Sequence, residues 1–131
     1  MSVNFTGTWK ANLSKSRFLG PPPVALTARI AHSEPVVQME MLVSKADGSE
    51  DRVVFQCSSD GEPCKSLLNG NAIRGNAKWQ PEELVIESWA QVGEREMHFY
   101  DCWSLSPDGQ TLVMEHRQGD LAGQRIVLDR G

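Results

Sequence analysis

The chain has 131 residues, enough for one domain over 1–131 with a real core, and a net charge of −4 from 13 basic and 17 acidic residues. The two signs are mixed along the chain with no basic block, which argues against nucleic acid as a partner, because phosphate binding needs clustered Lys and Arg. No apolar run approaches the roughly 18 residues of a membrane span. No positive segment leads into an apolar stretch as in a signal peptide, so the expectation is cytoplasmic, with an exported form whose leader Met1 replaces left open.

Almost everything after residue 23 alternates between apolar and polar with period two, the pattern of half-buried antiparallel strands. A first strand is expected over 4–12. The segment "LSKSRFLGPPP", 13–23, is the one long connection, with a helical turn expected before the prolines stop it. Nine further strands are expected near 24–32, 36–45, 50–58, 64–68, 72–79, 84–92, 95–106, 111–118 and 124–130. Turn chemistry separates them: "SEP" at 33–35, "ADGS" at 46–49, "SDGEP" at 59–63, "NGN" at 69–71, "QPEE" at 80–83, "GE" at 93–94, "PDGQ" at 107–110 and "GDLAG" at 119–123. Such even spacing predicts an all-β meander rather than βαβ units.

One parity of each strand is apolar. It holds Phe5, Gly7 and Trp9 in the first strand, Met39 and Met41 in the third, Phe55 in the fourth, and Gly75, Ala77 and Trp79 in the sixth. It continues with Ile86, Ser88 and Ala90, then Met97, Phe99, Asp101 and Trp103, then Met114 and His116, and ends at Arg130. A one-residue slip would turn every side chain over, so register is a check. A two-residue "GE" hairpin aligns Ala90 with Met97 and Ser88 with Phe99, and a four-residue "PDGQ" loop aligns Asp101 with His116; both keep the inward parity. A flat meander leaves two edges, and closure into an up-and-down barrel removes them. Closure sets Trp9 against Arg130, with Gly7 leaving room for a stack of indole and guanidinium that plugs one end.

The Gly7-x-Trp9 pair with a basic residue on the last strand resembles the calycin superfamily of lipocalins, fatty-acid-binding proteins and avidins. The fuller pattern "FTGTWKANLSKSRF" with "LSPDGQTL…VLDR" is similar to small bacterial lipocalin-like proteins. The chain departs from the lipocalins in lacking a helix near the C-terminus, and from the fatty-acid-binding proteins in lacking a helical lid. It departs from the avidins in having ten strands rather than eight. The resemblance implies a barrel with an internal cavity for a small apolar or amphipathic ligand, and no cofactor.

The expected lining follows from the inward parity. Gly75, Ala77, Ser88 and Ala90 are small and leave room for a guest or fit the barrel's taper, while Met39, Met41, Met97, Met114, Phe55 and Phe99 offer adaptable apolar surface. Asp101 and His116 face each other inside, where neither is placed for packing. Three roles stay open for them: a satisfied pair, a polar anchor for a ligand headgroup, or a general base, His116, oriented by Asp101. Haem ligation by His116 would lack a second ligand, since His32 falls at the plugged end and His98 points outward. No metal-binding spacing is present. Cys57, Cys64 and Cys102 are expected as free thiols, Cys57 and Cys64 being the pair placed to bridge across a turn in an exported protein. Outward-facing Trp89 and Tyr100 on neighbouring strands would make a homodimer patch.

Overall fold

A computed structural model describes residues 4–18, 21–68, 70–118 and 123–131. Ten strands follow one another: β1 (Gly7–Ala11), β2 (Ala25–Ser33), β3 (Val36–Ser44), β4 (Glu50–Ser58), β5 (Asp60–Leu68), β6 (Asn71–Gln80), β7 (Glu83–Val92), β8 (Arg95–Leu105), β9 (Thr111–Gln118) and β10 (Gln124–Arg130). Each pairs antiparallel with its chain neighbours, and β1 pairs with β10, so the sheet closes into a barrel without edges. The "GDLAG" turn, apart from Gly123, lies outside the described residues, as do residue 69 of "NGN" and residues 19 and 20.

The register is the one the turns dictate. Ala90 pairs with Met97 and Ser88 with Phe99 across the "GE" hairpin, Trp79 with Leu84 across "QPEE", and Asp101 with His116 across "PDGQ". Trp9 pairs with Arg130 at the closure. The apolar parity therefore faces inward throughout, and Phe5, Trp9, Leu84, Leu112, Leu128 and Val37 are fully buried.

Three local expectations differ. The fifth strand is longer than 64–68: Ser59 alone joins it to β4, and a register shift between Asp60 and Pro63 absorbs a proline that cannot donate to the ladder. The first strand begins only at Gly7, because Phe5 and Thr6 bond instead to His32. The turn expected after residue 12 is a single tight one, with Lys15 N–H donating to Asn12 O and Ser16 N–H to Leu13 O. Beyond it Arg17 bridges Arg125, so this segment runs beside β10 and lays Phe18 against the core.

The cysteines also correct the sequence reading. Cys57 and Cys64 form a disulfide with Cα atoms 4.4 Å apart, and Cys102 alone is a free thiol. The short β4–β5 connection brings the two inward cysteines face to face, within the span that a disulfide bridges. Counting cysteines could not show this, because proximity depended on how β5 begins.

Candidate functional site

One end of the barrel is shut by the first and last strands. The guanidinium of Arg130 lies over the Trp9 ring at 4.3 Å. It donates through Nε and Nη2 to the Gly109 carbonyl and through Nη1 to the Thr6 carbonyl, while the Trp9 indole N–H donates to Phe5 O at 2.9 Å. Gly7 has φ +152°, and a Cβ there would collide with Nη1 of Arg130. The chain thus spends its smallest residue on making room for this contact.

Beside the plug stands a hub that the sequence reading passed over as a turn. Glu34 accepts from His32 Nε2 and the Trp79 indole at Oε1, and from the Ser59 hydroxyl at Oε2. Nδ1 of His32 accepts the Phe5 N–H at 3.1 Å, so the ring proton sits on Nε2. Burial works to raise the carboxyl's pKa, but the donors His32, Ser59 and Trp79 hold it below the ordinary 4.5. The rings of Phe5, His32 and Trp79 pack against one another, with centroids 5.6 to 5.9 Å apart. The signal available in the sequence was an inward histidine two residues before a carboxylate.

Along the barrel axis the inward side chains change character. Met39, Phe55, Gly75, Ala77 and Met114, all expected in a lining, are buried with Trp103 and Ile86 in one packed layer. Gly75 is small for a structural reason, because a Cβ there would strike the Glu87 carbonyl of β7. Beyond that layer Met41, Ser88, Ala90, Met97, Phe99, Asp101 and His116 are only half-buried, although they point inward by register. Val43, Val53 and Ile73 share this state and extend the same wall. The inner face is driest at its middle layer and partly exposed toward this end, while near the plug Trp79 and Leu105 are also only partly buried.

Asp101 and His116 sit just above the packed layer. Nδ1 of His116 lies 2.8 Å from Asp101 Oδ1, with the two side chains 27% and 26% exposed. The His116 ring stacks on Phe99 with centroids 5.5 Å apart. The hydrogen bond with Asp101 raises the imidazole's pKa above the ordinary 6.5, against the opposing effect of burial. No described Ser, Thr or Cys hydrogen-bonds to that ring, and among the described residues no group of His, Cys, Asp and Glu could hold a metal ion.

On the outer wall, Trp89 of β7 is flanked by Arg74 of β6 at 5.2 Å and by a parallel His98 of β8 at 5.0 Å. His98 also meets Tyr100, whose side chain leaves the residue 41% exposed. Two shallow clefts lie elsewhere on the outside. One crosses β1–β4 over Thr8, Arg29, Gln38 and Gln56, and the other adjoins Lys10–Ser14 and Asp129–Gly131. No described helix is long and apolar enough to cross a membrane.

These features define a closed up-and-down barrel: ten antiparallel strands, plugged at one end by an indole and a guanidinium. The chain is similar in structure to apo lipid binding protein 8 of Caenorhabditis elegans, with a TM-score of 0.66 over 100% of this chain and 99% of that one. The two are 10% identical, so the likeness is one of fold. No family model and no curated protein matches the chain.

Proposed function

We propose that the protein binds a small apolar or amphipathic molecule at the end of the barrel opposite the Trp9–Arg130 plug. The observation that carries this reading is the graded inner face. Methionine, phenylalanine, alanine and serine side chains that register directs inward are left half-buried toward the end away from the plug. In a barrel whose sole purpose was a packed core, those positions would be filled as fully as Met39 and Phe55 are. The flexible thioethers of Met41 and Met97 suit a guest of loosely defined shape, and the fold is shared with a protein whose name states that it binds lipid.

A catalytic reading rests on one observation, the solvent-accessible imidazole held by Asp101. It needs a nucleophile or activated water as a partner, and the binding reading needs neither.

Titration with Nile red, a neutral apolar dye, tests the proposal. Saturable enhancement of its emission is expected in the native protein, together with quenching of tryptophan. Ala90→Trp, which sets an indole among the half-buried inward side chains, is expected to abolish the signal. Absence of saturable binding to protein that melts cooperatively would overturn the proposal.

A further inference from the structure

The charges inside the proposed basin are few, and they point to the kind of headgroup it takes. Among the described residues, the acid–base pair on the floor is Asp101 with His116, at 2.8 Å. The hydrogen bond to Asp101 favours the protonated imidazole, and the pair presents at most one positive charge. It offers a ligand two complementary groups: an N–H at Nε2 of His116 and an acceptor at the second oxygen of Asp101. Gln124 pairs with His116 from β10, and Ile86 lies opposite Asp101 on β7, so neither flanking strand adds charge beside the pair.

A bound anion normally requires a compensating cation, because a desolvated carboxylate without one is costly. Arg130, the inward arginine, is committed to Trp9, Gly109 and Thr6 at the other end. Arg95 shares the inward parity but is exposed at the tip of the β7–β8 hairpin. It stands six residues beyond Asp101, about 20 Å along the strand. Lys45 at the rim is paired with Asp51 at 2.8 Å. An ionised carboxylate placed on His116 would therefore share the imidazole's single positive charge with Asp101 and leave the pair one negative charge in excess, with neither Arg130 nor Lys45 placed to offset it.

We infer that the basin selects amphipaths with a neutral headgroup that both donates and accepts hydrogen bonds, an alcohol or a primary amide, seated on the Asp101–His116 pair with the chain running out over Phe99 and Met97. Met97 lies four residues nearer the rim than Asp101, about 13 Å along β8, so the chain direction follows from the strand. The inference rests on the proposed binding function and sharpens it: the ionised fatty acid of the same chain length is the poorer ligand.

Displacement of Nile red at pH 7.5 by 1-decanol, decanamide and decanoate tests it. Decanol and decanamide are expected to bind at least tenfold more tightly than decanoate. Asp101→Asn removes the repelling charge and is expected to shrink that ratio severalfold. Decanoate binding to the wild type as tightly as decanol would overturn the headgroup inference while leaving the binding function standing. Failure of Nile red itself to bind would remove both. The comparison on the wild type needs no variant, so a poorly folding Asp101→Asn would not blunt it.

Discussion

Arg130 lies 4.3 Å above the ring of Trp9 and ties the C-terminal strand to the N-terminal one by both stacking and carbonyl hydrogen bonds. Deleting the indole removes a fully buried aromatic and unseats the guanidinium. Trp9→Ala should cost about 3–5 kcal/mol, a large share of the roughly 5–15 kcal/mol typical of a small domain. Trp89→Ala on the outer wall loses only its stacking with His98 and Arg74 and should cost about 1 kcal/mol. Urea melts of the two variants check the order, and a larger loss for Trp89→Ala would mean that the faces are reversed.

Gly7 and Arg130 are coupled through space. Gly7→Ala should destabilise by roughly 1–3 kcal/mol, from a backbone conformation that side chains resist and from the collision with Nη1. In an Arg130→Met background the collision is relieved and part of that cost should vanish, which a double-mutant cycle would detect.

Two groups make stability depend on pH in opposite directions. Glu34 has its pKa depressed in the folded state, so its contribution is present above about 4.5, the ordinary value, and is lost as pH falls through the folded value. His116 has its pKa raised; its contribution is complete below about 6.5 and is lost as pH rises through the folded value. Glu34→Gln should flatten the acid limb of the stability profile. An NMR titration should place the His116 midpoint above 6.5 in the wild type and lower in Asp101→Asn.

Thiol counting checks the covalent structure. Denatured, unreduced protein should show one reactive thiol, Cys102, and reduced protein three. In the native state Cys102 should react slowly, since burial and the neighbouring Glu83 push its pKa up to about 12.

Strand pairing was legible because the turns and the inward parity constrain each other. "GE" and "PDGQ" each admit one register that keeps Met97, Phe99 and Met114 inside. The Asp101–His116 pair followed from that register, and the Trp9–Arg130 contact from closure of the first strand on the last. What stayed hidden depended on irregular backbone. The Cys57–Cys64 bridge required the early start of β5, and the Glu34 hub required side chains from β2, β6 and the β4–β5 turn to converge on one carboxylate. Parity also could not say how far down the barrel the packing extends. Met39 and Met41 look alike in sequence, yet one is buried and the other half-exposed.

That difference between methionines gives the most direct test of where a guest sits. With ¹³C-methyl methionine, addition of Nile red or 1-decanol should move the resonances of Met41 and Met97 first and saturably, with smaller shifts at Met39 and Met114 beneath them. Shifts confined to outer-wall groups such as Trp89, or methionine resonances that stay unmoved at saturating ligand, would contradict binding inside the barrel.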